Sequence, residues 1–287
     1  MKLQLKNVTI AALAIVGWAV SSLSLAHDFA EADAAFQERG GANGDGDLTK
    51  IGEAKQKYVQ AIDSGITGED LVYAVEQHSR LCSYEISLTP ESDSNGRKSI
   101  AVAGLKQLEK IAPAKISKET PQYYYWHALL LSRRAQAEGP FSQVANLPAV
   151  TKSVDKGDAL NTNYEGGGFR RLRGQIQSKT LAIGGSASKA ETELEAATNA
   201  PAYDLEKDEA KATESGAYFY SVFFYRAENL CKSLKKRDEA LAILKGAVAR
   251  LELDDDYPVK RVPEVKYDLK QMKDLLGKME ADSNFCK

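Results

Sequence analysis

The chain has 287 residues, with 38 Lys+Arg against 40 Asp+Glu and a formal net charge of −2. A nearly balanced, mildly acidic chain has no electrostatic footprint for nucleic acid, so no nucleic-acid partner is expected. Three cysteines without zinc-site spacing and only three histidines leave no basis for expecting a metal or a cofactor.

The N-terminus reads as a secretory signal. Lys2 and Lys6 form a short positive region, Val8 to Val20 an uncharged apolar stretch, and Ser24-Leu25-Ala26 supplies the small residues a signal peptidase needs. The expected division is a signal peptide over 1–26 and a single domain over 27–287. An uncleaved anchor is the alternative, but serines interrupt the run and it falls short of the roughly 20 apolar residues of a span. No cysteine precedes Cys82, so no lipidation site is available. The expected product is soluble, periplasmic and not a lipoprotein.

The remainder reads as helices in pairs. Asn43-Gly44-Asp45-Gly46-Asp47 resembles a calcium loop, but Leu48 and Ala54 stand where glycine and glutamate are required. It reads instead as a cap, with Asp47 opening a helix that carries Ile51, Ala54, Tyr58 and Ala61 on one face. Leu71, Ala74, Val75, His78 and Cys82 mark a second helix, with His78 a core histidine. A loop is expected over 87–96, then a helix burying Ala101, Leu105, Leu108 and Ala112. Thr120-Pro121 predicts a hydroxyl cap and proline at the first helical position. The helix it opens carries Tyr123, Tyr124, Tyr125, Trp126 and His127 and stops at Gly139-Pro140. Asn146-Pro148 is expected to start another, with Val150 and Val154 inward.

Tyr164 to Gly174, YEGGGFRRLRG, is the least ordinary stretch. Gly166, Gly167 and Gly168 remove every Cβ directly before a helix, as a close backbone approach or a ligand at the helix N-terminus requires. Arg170, Arg171 and Arg173 oppose the helix dipole there, which calls for an anion, either a neighbouring carboxylate or a bound acid. Further helices are expected over 189–198, 216–234, from Asp238, and over 263–279, with exposed charged runs over 204–214 and 254–256.

Helix pairs of this kind, exemplified by DEALAILKGAV from Asp238, give an all-α fold of TPR-like helical-hairpin repeats, a solenoid in which stacking builds one continuous core. If the helix from Pro263 returns antiparallel to that from Asp238, the C-terminal tail arrives beside Cys231. Cys231–Cys286 is then the expected disulfide and Cys82 a free, buried thiol. Three adjacent tyrosines cannot share one helix face, so some of Tyr124, Trp126, His127 and their neighbours are candidates for a binding surface. No nucleophile motif is present, and the expectation is a non-enzyme; a hydrolase using His127 is the rival.

At Tyr164, Glu165, Gly166, Gly167, Gly168, Arg171 and Gly174 the chain resembles the TPR-like T-component family of TRAP transporters, with Phe169 where that family has proline. Tyr124-Tyr125-Trp126-His127-Ala128, Ala200-Pro201 and Asp238-Glu239-Ala240 stand in similar order. The resemblance implies a non-catalytic periplasmic scaffold that self-associates, as a trimer for example, and docks a periplasmic solute-binding protein. It would help capture a small organic, hydrophobic ligand. Arg171 and Gly166–Gly168, with Tyr124, Trp126 and His127, are then the ligand or partner residues. A general periplasmic TPR interaction scaffold unrelated to transport is the alternative.

Overall fold

The computed structural model describes residues 29–41, 46–199, 220–253 and 262–287. The signal segment, most of the calcium-like loop, Ala200-Pro201, the charged runs at 204–214 and 254–256, and the first residues of the helix expected from 216 lie outside them. Among the described residues the chain is all-helical, with no strand.

Eleven α-helices lie among the described residues, in order: α1 Ala30–Gln37, α2 Leu48–Asp63, α3 Gly68–Leu88, α4 Ser94–Leu108, α5 Pro121–Glu138, α6 Pro140–Leu160, α7 Gly168–Lys179, α8 Ala187–Thr198, α9 Ser221–Lys232, α10 Arg237–Leu253 and α11 Val262–Ala281. The helix start at Asp47 follows its chemistry, because the carboxylate accepts from the backbone N–H of Thr49 at 2.9 Å and of Lys50 at 3.2 Å. Thr120 differs. Pro121 sits in the first turn of α5, but the Thr120 hydroxyl makes no cap and is buried without a partner.

Pro140, expected only to end a helix, also opens the next, and Pro148 lies inside α6 rather than at its start. Gly139, at φ +102°, makes the sharp reversal that lets Pro140 take the first position, where its missing N–H is no loss. Pro148 has no N–H to donate to the Val144 carbonyl one turn back, so α6 runs on with one bond of its ladder missing. The short helix α1 and the 3-10 turn Glu38–Gly40 were not expected from the sequence; α1 carries only Ala32, Ala35 and Phe36 inward, too short a pattern to register as periodic.

Helices pack on those one or two places away along the chain, α5 against α6 most extensively. The exception is α11, which returns to the 3-10 turn after α1. One apolar core runs from α1 to α7, with Ile51, Leu81, Leu108, Leu130 and Phe169 fully buried. A second joins α9, α10 and α11 around Leu230, Leu244 and Met272. Cys231 and Cys286 are disulfide-bonded, closing α9 onto the C-terminal tail, and Cys82 is buried as a thiol. No helix of the described residues is long and apolar enough to cross a membrane.

Candidate functional site

A groove of about 1100 Å³ opens between α1, the N-terminal half of α3, the loop before α5 and the segment leading into α7. α3 supplies its floor, because Tyr73, Glu76, Gln77 and Arg80 recur at three- and four-residue spacing and so share one helix face.

The charged centre of the floor is Arg80, itself 8% exposed. Its Nη2 donates to Glu165 Oε1 at 2.6 Å and to Glu76 Oε1 at 3.2 Å, and its Nη1 to Glu165 Oε2 at 3.4 Å. Burial pulls the guanidinium pKa down, but the charges of Glu165 and Glu76 outweigh it and leave the group firmly protonated, above its ordinary value. Tyr164 donates its hydroxyl proton to Glu76 Oε1 at 2.7 Å and accepts from Trp126 Nε1 at 3.1 Å. Burial, helped by both glutamates, raises the Tyr164 phenol well above its ordinary range, so it stays a donor. The Trp126 ring lies 5.4 Å from the Arg80 guanidinium carbon.

At the other end of the groove, Asp33 Oδ1 accepts from two tyrosine hydroxyls, Tyr73 at 2.8 Å and the fully buried Tyr58. Phe29, Tyr58 and Tyr73 form a ring cluster behind it, with centroids 5.1–6.4 Å apart.

Tyr164 and Glu165, at the head of the glycine-rich segment, form the wall beside Arg80. Glu165, Gly166 and Gly167 occur in succession at φ +51°, +57° and +73°, so the chain makes a left-handed turn that glycine enters at no steric cost. Gly168 is required for closeness instead: a Cβ there would lie 2.6 Å from the Tyr125 ring. Glu165 is the non-glycine exception, and its strained backbone is fixed at both ends. Its carboxylate holds Arg80, and its carbonyl accepts from Arg171 Nη1 and Nη2, each at 3.4 Å. Arg171 also donates to the Tyr125 hydroxyl at 3.0 Å.

Tyr164 and Glu165 therefore line the groove, whereas Arg171, Gly166, Gly167, Gly168, Tyr124, Trp126 and His127 do not. Arg171 is 3% exposed and faces the interior, where it braces the wall from behind. Trp126 sits one layer below the groove through Tyr164. Tyr124 packs towards α6, with Lys156 Nζ 5.5 Å from its ring centroid. His127 is further off, stacked on Tyr123 at 5.4 Å, with Nδ1 2.9 Å from Ser153 Oγ. Burial lowers the His127 pKa, and Ser153, 6% exposed, lines no part of the groove. Arg173 is likewise spent within the protein, on Asp155, Asp158 and Glu193. The anion called for by the three arginines is thus, for Arg173, a set of neighbouring carboxylates.

Asp33, Tyr73, Glu76 and Arg80 were not anticipated as a site. The signal available for them was faint: Glu76 and Arg80 are charged residues four apart on the helix whose other face holds Ala74, Val75 and Cys82. Such a pair ordinarily reads as a solvated ion pair, and it is covered only when Tyr164 and Glu165, some 85 residues on, and Trp126 close over it. Among the described residues no group of His, Cys, Asp and Glu is placed to hold a metal ion. No protein-family model matches the chain, and no curated protein matches it either.

Proposed function

We propose that the chain is a non-catalytic, exported scaffold of the TPR-like accessory kind that serves TRAP-type uptake. In this reading the groove takes up a small organic ligand and the helical stack docks a periplasmic solute-binding protein, with the scaffold itself self-associating. The observation that carries it is the position of the Tyr164–Gly174 segment. The first two residues of the stretch on which the family resemblance rests, Tyr164 and Glu165, line the groove, and Arg171 braces the turn behind them.

Two further features support it. Helices that pack on their chain neighbours are what a repeat array requires. The Cys231–Cys286 disulfide suits an oxidising compartment, in keeping with the signal-like residues 1–26. In this reading Trp126, Tyr124 and His127 act as the packed backing of the wall rather than as ligand contacts.

The test is to express the chain with its own N-terminal segment, recover it from the periplasm, and examine it by native mass spectrometry beside the Val72→Trp variant. Val72 lines the groove, and an indole there narrows it. A small molecule retained by the wild-type protein and lost from V72W, together with a co-purifying solute-binding protein, is the expected result. Wild-type protein that carries no ligand, and whose partners do not include a solute-binding protein, refutes the reading.

A further inference from the structure

The lining of the groove carries an excess of negative charge. Six carboxylates face it, from Asp33, Glu69, Asp70, Glu76, Glu119 and Glu165, against three cations, Arg80, Lys115 and Lys118. Arg80 is already engaged by both Glu76 and Glu165, so the floor around it is negative overall. Lys115 and Lys118 are exposed at the rim together with Glu69 and Glu119, so the rim charges offset one another and the excess lies on the floor, with Asp33, Asp70, Glu76 and Glu165 against Arg80. A concave surface with low-dielectric walls and an excess of one sign concentrates the potential and attracts the opposite charge.

The negative charge is also divided into two stations. Asp33 is fixed by the Tyr58 and Tyr73 hydroxyls, while Glu76 and Glu165 are fixed around Arg80. Along α3 the stations are marked by Tyr73 and Arg80, seven residues and therefore roughly 10 Å apart at the helical rise. Between and beside them the groove presents the Phe36, Tyr73 and Tyr164 side chains. Aromatic faces attract ammonium groups and cover methylene chains. A compact metal ion would need its ligands gathered at one point, and the carboxylates are instead spread along the floor.

We infer that the groove binds an extended organic cation, an aliphatic polyamine whose ammonium groups lie about as far apart as the two carboxylate stations. This rests on the reading of the groove as a ligand site. The ammonium groups pair with Asp33 at one end and with Glu76 and Glu165 at the other, and the methylenes lie across Tyr73.

The experiment titrates the purified protein with spermidine by calorimetry and by Trp126 fluorescence, with glutarate, octanoate and Mg²⁺ as comparison probes. Saturable one-to-one binding of spermidine is expected, not displaced by an equal concentration of Mg²⁺. Affinity should fall about tenfold in Glu76→Gln and about threefold in Glu69→Gln, as loss of a near and a rim charge implies. Glu69 is exposed, so E69Q tests the charge effect without threatening the fold. Spermidine binding unchanged in both variants, or absent from folded wild-type protein, overturns the inference. If octanoate or glutarate binds instead and V72W abolishes it, the groove remains a ligand site and only its cation preference is wrong. If no probe binds wild type, the groove reading falls with the inference.

Discussion

His78 is 3% exposed on the core side of α3, with Cys82 Sγ 3.8 Å from its Nδ1. Burial, helped slightly by Lys55, lowers its pKa to about 4. The unfolded chain, in which histidine titrates near 6.5, therefore binds a proton that the folded one refuses. Stability is complete above the unfolded value and is lost as pH falls from about 6.5 towards 4, by an amount on the order of 3 kcal/mol at the low end. Urea unfolding across this range should show the loss, and His78→Gln should flatten part of it even if it lowers stability at pH 7. His127, also depressed by burial, acts in the same direction and accounts for a residual slope. The Arg80 cluster makes a different kind of contribution. Removing Glu165 leaves a buried guanidinium with Glu76 as its remaining carboxylate, and breaking buried pairs of this type costs about 3 kcal/mol. Glu165→Ala should therefore lower the melting temperature much more than Lys110→Ala, whose partner Asp63 is exposed and whose pair falls in the class worth about 0–1 kcal/mol.

At the scale of elements, the turn into α7 ties the chemistry to the packing. Phe169, fully buried, begins α7 with its ring against Tyr125 at 5.6 Å and Tyr164 at 6.0 Å, and Gly157 of α6 gives it room because a Cβ there would overlap the ring. Gly168→Ala forces its new methyl onto the Tyr125 ring, and Tyr125 is the Arg171 partner. Overpacking of this kind costs about 1–3 kcal/mol, and the strain should propagate through Arg171 to the Glu165 carbonyl. The expected outcome is a lower melting temperature together with altered Trp126 fluorescence, since Trp126 donates to the hydroxyl of Tyr164 on the same turn. Local signals carry this far. The glycine run, the Asp47 cap and the apolar spacing of α2, α3 and α4 are properties of adjacent residues, so they could be read from the chain. Arg80 with Glu165, Asp33 with Tyr73 and the groove between them depend on contacts 85 and 40 residues apart, for which a single sequence has no marker. Arg171 illustrates the difference: its place beside the glycines is legible, but only packing shows that its guanidinium turns inward to Tyr125 rather than out to the groove. Pro148 is the converse, a local breaker signal overridden because α6 packs along its length on α5.

Over the whole molecule, the path of helices in chain order is closed where α11 returns to the turn after α1 and packs Tyr267 on the first core. Arg39, fully buried in the turn after α1, donates through Nε and Nη2 to the two carboxylate oxygens of Glu264 at the start of α11, at 3.0 and 2.6 Å. Pro263 fits against Gly40, where a Cβ would lie 2.6 Å from its ring. The C-terminal core of α9, α10 and α11 thus leans on the first core while being stapled internally by Cys231–Cys286. The two ties act on different equilibria. The disulfide spans a separation of 55 residues, and by the loop-entropy relation it withholds about 4 kcal/mol of disorder from the unfolded C-terminal part. The Arg39–Glu264 fork ties that part to the rest, and a single unfolding transition is expected while it is intact. Reduction should consequently lower the stability of the C-terminal core, with amide exchange in α9 and α10 quickening more than in α3 and α5. Glu264→Gln should do something else: with the disulfide intact it leaves the C-terminal core folded but splits a single calorimetric transition into two. Combining both changes should let α9 to α11 melt well below α1 to α7. A single transition in the reduced Glu264→Gln protein would mean that the helix-to-helix contacts through α7 and α8 carry the coupling, and that the Arg39 fork only follows them.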